Sequence, residues 1–157
     1  MRAVAPSILF SLLAWSCPGS AAESPMAGTW EVKWKCAKAV NPDCMPDTFS
    51  IRLFIQGGKL CGTHSSIAKA GKKVDEIGGS KPTLSGQVVG ATATVTFLSA
   101  FEGKGKATIT LRGERLQWHI VEEEGESWLP PDATLHRIPN SAWGSSLRCE
   151  TLVRRNP

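Results

Sequence analysis

The chain contains no tyrosine, so its aromatic contacts must come from five phenylalanines and six tryptophans. It has only three histidines, His64, His119 and His136, which leaves few imidazoles for metal binding or acid–base work. No Gly-x-Ser-x-Gly stretch occurs, so the strained turn that presents a hydrolase nucleophile has no counterpart. No segment repeats apolar residues at helical spacing with conviction, and Ile8–Trp15 (ILFSLLAW) is too short to span a bilayer as a helix. The net charge of +4 is too small to mark a nucleic-acid-binding chain.

What is present at the N-terminus reads as an export signal over residues 1–22. Arg2 is its basic region, Ile8–Trp15 its apolar core, and Ser20-Ala21-Ala22 the small residues for cleavage. A lipid anchor at Cys17 is the alternative, but Trp15 sits where lipidation sites carry small residues. Cleavage would remove Arg2 and no acid, so 18 basic side chains become 17 against 14 acidic ones, net +3. The predicted location is the periplasm or the extracellular space. Cys36, Cys44, Cys61 and Cys149 remain, an even number that in an oxidising compartment predicts two disulfides.

Residues 23–138 are expected to form one domain built from short alternating runs. Trp30, Val32, Trp34 and Cys36 share one face of a first strand, Gly28–Cys36. Phe49, Ile51, Leu53 and Ile55 line a second, which ends at Gly57-Gly58, a hairpin signal. Lys59–Ser66 and Thr83–Val89 give the third and fourth. Ala91–Glu124 supplies three more, with Ala93, Val95 and Phe97, then Ala107, Ile109 and Leu111, then Leu116, Trp118 and Ile120 on alternate positions. Ala133–Ile138 is the eighth. Eight strands joined by tight turns predict an all-β, antiparallel, up-and-down barrel, just wide enough to be filled by side chains or to hold one small ligand. Trp30, Trp34, Phe49, Phe97, Leu111 and Trp118 are the expected core, bulky enough to pack the interior. Residues 139–157 read as an irregular tail clipped on by a disulfide.

Between these strands, Ile67–Pro82 carries Lys69, Lys72, Lys73 and Lys81 with three glycines and reads as a long polar loop with room for one helical turn. Ser99–Lys106 is glycine-rich and holds Phe101, an apolar side chain in a position that often marks a contact site. The expected partner-binding residues are Phe101, Lys104, Lys106, Lys72 and Lys73, facing a protein or an anionic envelope component. No catalytic residue, cofactor or metal is expected. His119 and His136 fall on outward positions of neighbouring strands without a third ligand. His64, Ser65, Ser66, Asp75 and Glu76 contain the residue types of a hydrolytic set, but a solvated loop is the simpler account. Glu122-Glu123-Glu124 and Glu126 read as an exposed acidic turn.

The strand pattern, the export signal and Gly28-Thr29-Trp30, which fits a Gly-x-Trp opening, resemble the small exported β-barrels of Gram-negative bacteria, lipocalin-like proteins and periplasmic lysozyme inhibitors among them. The resemblance covers residues 28–138 as an architecture; a disulfide-clipped barrel with a glycine-rich Phe101 loop and no catalytic set is expected to be a non-enzymatic binding protein, an inhibitor or immunity factor for a cell-wall hydrolase. The strand number and the Trp-rich inner face suggest the alternative, a carrier of a small apolar ligand. No site residue transfers with the resemblance.

Pairing Gln56 with Lys59 across the Gly-Gly turn places Cys61 opposite Phe54 on the outward face, far from Cys36 along the strand axis. Bridged cysteines need Cα atoms within about 7 Å. Cys36–Cys44 and Cys61–Cys149 therefore fit best, and Cys36–Cys61 with Cys44–Cys149 would require a bulge in the first strand. Non-reducing peptide mapping should return the first pair of fragments; a Cys36–Cys61 fragment would overturn that register.

Overall fold

The computed structural model describes residues 24–35, 45–77 and 81–139. The export signal, Cys36, Cys44, Cys149 and the tail from residue 140 lie outside these, and the cysteine pairing with them. Nine strands follow in order: β1 Gly28–Lys33, β2 Thr48–Gln56, β3 Lys59–Ala68, β4 Lys73–Asp75, β5 Leu84–Val89, β6 Thr92–Leu98, β7 Lys104–Arg112, β8 Arg115–Glu124 and β9 Asp132–Ile138. All pairings between them are antiparallel. Eight strands close into a barrel, β1-β2-β3-β5-β6-β7-β8-β9 and back to β1, and β4 is a three-residue addition on the edge of β3. This is the expected eight-stranded meander, lipocalin-like in architecture. No helix among the described residues is long and apolar enough to cross a membrane.

Alternation drives the closure. Ala93, Val95 and Phe97 are 1% exposed while Thr94 and Thr96 face solvent, so each strand gains by burying one face only. Trp30, Phe49, Phe97 and Trp118 fill the interior, and Trp118 lies edge-on to Phe49 with ring centroids 5.2 Å apart. Leu111 is half-buried against the same cluster. Trp34 departs from expectation. Strand β1 ends at Lys33, so the inward parity of Trp34 no longer holds, and its side chain is 39% exposed. The register places Cys61 opposite Phe54, as predicted, yet Cys61 is buried, not solvent-facing.

The two ends of the barrel are built differently. At one end the connections are two-residue turns, Gly57-Gly58, Gly90-Ala91 and Gly113-Glu114. Both residues of the first have positive φ, the conformation that matches strand twist in a tight hairpin. Met26, 1% exposed, plugs this end and accepts a hydrogen bond from Trp30 Nε1 through its carbonyl at 3.0 Å. The Arg137 guanidinium stacks 4.2 Å from the Trp30 ring and donates to the carbonyls of Ala27 and Pro25. The other end carries the longer loops.

One irregularity sets the charge pattern of the wall. Lys106 pairs with Glu122 but Ala107 with Ile120, so Val121 is a bulge without a partner across β7. The extra residue brings Glu122 and Glu124 beside Lys106 and Lys104, at 2.8 and 3.2 Å. The acidic run is thus a ladder of exposed ion pairs.

Leu135 is fully buried within this core. Replacing Leu135 with Ala should cost about 2–5 kcal/mol, read as a lower urea midpoint with an unchanged denaturant slope. A wild-type midpoint would contradict the packed interior.

Candidate binding surface at the loop end

Among its described residues the polar segment Ile67–Pro82 holds no helical turn. Strand β3 runs on to Ala68, turns through Lys69–Lys72 and returns as β4, which pairs Asp75 with Ser66. That short strand carries the least expected residue of the chain. Asp75 is fully buried, not part of a solvated loop.

Its carboxylate is the meeting point of three loops. Oδ2 accepts from Ser99 Oγ at 2.7 Å and from the Trp128 backbone N–H at 2.9 Å; Oδ1 accepts from the Ala100 N–H at 2.8 Å. His64 Nε2 lies 3.4 Å from Oδ1. Burial alone would raise the carboxyl pKa, but the hydrogen bonds from His64, Trp128, Ser99 and Ala100 outweigh it and hold Asp75 far below the usual carboxylate range. An ionised carboxylate can only accept, so Nε2 carries the proton toward it. The other ring nitrogen, Nδ1, meets Thr83 Oγ1 at 2.7 Å, and the same oxygen accepts the His64 amide at 3.0 Å. No buried side-chain nitrogen or oxygen among the described residues lacks a partner.

His64 and Asp75 are therefore together, but the serines beside His64 go elsewhere. Ser65 Oγ contacts Glu76 at 3.4 Å, and Ser66 Oγ donates to the Trp128 carbonyl at 2.7 Å. The site's chemistry is that of a clamp. It ties β3–β4, the β6–β7 loop and the β8–β9 loop to one anion.

The loops so held present an aromatic and cationic cluster. Phe101 packs edge-on to Trp128 with centroids 6.4 Å apart, half-buried instead of projecting freely. Lys69 Nζ lies 4.2 Å from the Trp128 ring centroid, and Lys73 Nζ lies 4.9 Å from that ring and 5.2 Å from Phe101. Glu126 accepts from Trp128 Nε1 at 3.1 Å and approaches Lys73 at 3.9 Å. All three non-glycine residues with positive φ among those described, Lys69, Ala70 and Glu102, lie on the two loops flanking Trp128. Backbone held in this costly region persists only where its surroundings over-determine it, and such positions concentrate at functional sites. The Ala70 N–H is fixed to Asp47 Oδ1 at 2.8 Å. Gly103 is buried against the Glu126 carbonyl, where a Cβ would collide, so it serves close packing of two loops.

Of the residues expected to bind a partner, Phe101 and Lys73 come together here, with Lys72 exposed next along the turn. Lys104 and Lys106 do not join them; they lie in β7, ion-paired on the wall. Trp128 and Lys69 join the cluster unannounced by the sequence reading, though Trp128 beside Pro130-Pro131 is a large aromatic in a loop and could have been flagged. His119 and His136 do not converge. His119 lies opposite Asp132 and His136 opposite Arg115, four residues or about 13 Å apart along the strands. No group of three or more potential ligands for a metal occurs among the described residues. Comparison with protein-family models, curated proteins and solved structures found no match for this chain.

Asp75→Asn should destabilise the protein by about 3 kcal/mol near neutral pH, because amide nitrogen cannot replace a carboxylate oxygen that accepts several bonds. A carboxyl with a depressed folded pKa adds stability that is present above its unfolded value of about 3.9 and is lost as pH falls. The gap between wild type and Asp75→Asn in urea melts should therefore narrow progressively below about pH 4. A gap independent of pH would contradict the clamp.

Proposed function

We propose that the chain is a non-enzymatic, exported binding protein that docks a protein partner through the Phe101–Trp128–Lys69–Lys73 end, acting as an inhibitor or immunity factor for a cell-wall hydrolase. The observation that carries this reading is the clamped loop end. Three loops, two of them with strained backbone, are tied together at Asp75 and present two aromatic rings under two ammonium groups. Pre-fixed loops lose little freedom on binding, and aromatic anchors beside cations are the usual high-energy contacts of an interface. Lys69, Lys72 and Lys73 favour an acidic partner surface, which argues against typical basic lysozymes and for hydrolases with acidic clefts. The resemblance to exported barrels that include lysozyme inhibitors points the same way.

A carrier of a small apolar ligand has the strand number in its favour. Trp30, Phe49, Phe97 and Trp118 take up the interior that such a ligand would need.

The test is inhibition and binding assayed against a panel of purified cell-wall hydrolases, with Lys73→Glu as the surface variant. The reading expects one hydrolase to be bound and inhibited, with at least a tenfold loss of affinity in the variant. Wild-type affinity in Lys73→Glu would remove this surface. Failure to bind any hydrolase, together with tryptophan shifts on adding apolar dyes or lipids, would favour the carrier.

A further inference from the structure

Strand β1 pairs with β9 only at Thr29, Trp30 and Glu31, whereas β9 continues against β8 as far as Asp132 opposite His119. Beyond Glu31 the wall parts, and a groove of about 530 Å³ opens there, lined by Val32, Trp34, Gln117, His119, Asp132 and Thr134 among others. A second groove, of about 300 Å³, also has Trp34 in its wall and is further lined by Asp47, Ser66, Ser127 and Trp128. Trp34 is thus shared by two adjoining grooves and is 39% exposed.

We propose that these joined grooves are a binding site for a neutral oligosaccharide, with Trp34 as its stacking platform. A sugar ring has an apolar C–H face and a rim of hydroxyls, so its site needs an aromatic face beside convergent donors and acceptors. Both are present. The His119–Asp132 pair, 2.6 Å between Nδ1 and Oδ1 with both side chains largely exposed, stands fixed at one side. Gln117 and Thr134 add an amide and a hydroxyl in the same groove, and Asp47 adds a carboxylate in the other, where the Ser66 and Ser127 hydroxyls are already given to the Trp128 carbonyl and to Glu123.

Charge and polarity exclude the neighbouring ligand classes. An anionic ligand would meet a carboxylate in each groove, Asp132 and Asp47. A purely apolar one would strip water from the amide, hydroxyl and carboxylate groups without replacing their hydrogen bonds. Two grooves that share one tryptophan suit a ligand of more than one ring. The first groove lies on the β1–β8–β9 flank and the second runs between the end of β3 and the β8–β9 loop; of Phe101, Trp128, Lys69 and Lys73 the site touches Trp128 alone, so it is distinct from the protein-docking reading.

Chitohexaose and maltohexaose, titrated into the full chain and followed by calorimetry and tryptophan fluorescence, test this. At least one should bind, with an emission shift. Trp34→Ala should weaken binding at least tenfold and abolish the shift, and Asp132→Asn should weaken it several-fold. Trp34 lies outside the core, so thermal midpoints of Trp34→Ala near wild type would show that the loss is local. No binding of either sugar at millimolar concentration would overturn the proposal, as would unchanged binding in Trp34→Ala. So would binding of an apolar dye that depends on Trp34 while both sugars fail.

Discussion

A single buried carboxylate organises the loop end of this barrel. Asp75 lies on a strand of three residues, which pairs with β3 over only three positions. Such a strand cannot hold its place through ladder hydrogen bonds alone. What holds it is the reciprocal demand of an ion out of water, which must find several donors or be neutralised. Backbone N–H groups of Ala100 and Trp128, the Ser99 hydroxyl and His64 meet that demand, and they come from three different stretches of the fold. The carboxylate therefore fixes the conformation of these loops.

The clamp explains why strained backbone can persist at this end. Lys69 and Ala70 turn through positive φ between β3 and β4, and Glu102 does so in the loop whose Ala100 N–H is bound to Asp75. Cation–π contacts of Lys69 and Lys73 with Trp128 then lie over a platform whose own amide is tied to the same anion. The opposite end follows another rule. Glycine turns, the Met26 plug and Arg137 over Trp30 seal it compactly. Tight turns on one end and clamped, decorated loops on the other divide the molecule into scaffold and surface.

The scaffold was legible in the sequence because burying one face of a strand imposes period two, and Ala93–Phe97 or Ala107–Leu111 display that period without interruption. Gly57-Gly58 announced its hairpin for an equally local reason. The surface was not legible in the same way. Asp75 follows two lysines in a segment rich in lysine and glycine, a composition that normally signals hydration, and its donors lie 11 to 53 residues away in sequence. Strand parity points Trp34 inward only if β1 continues past Lys33, where it ends. The bulge at Val121 left no mark, since Glu122–Glu124 would read as acidic in either register. Phe101 stands out in sequence as the apolar residue of a glycine-rich loop, but its packing on Trp128 depends on a contact that only the closed barrel creates.

The central claim is that Asp75 holds the loop end as one unit, and amide hydrogen exchange of Ala100 and Trp128 in wild type and Asp75→Asn addresses it most directly. Both N–H groups donate to the carboxylate from different loops. The account predicts that both are protected in wild type and lose protection together in the variant, while the amides of β5 and β6 away from the loops keep theirs. Protection at Ala100 and Trp128 that survives the substitution, or that is lost at one and kept at the other, would contradict it.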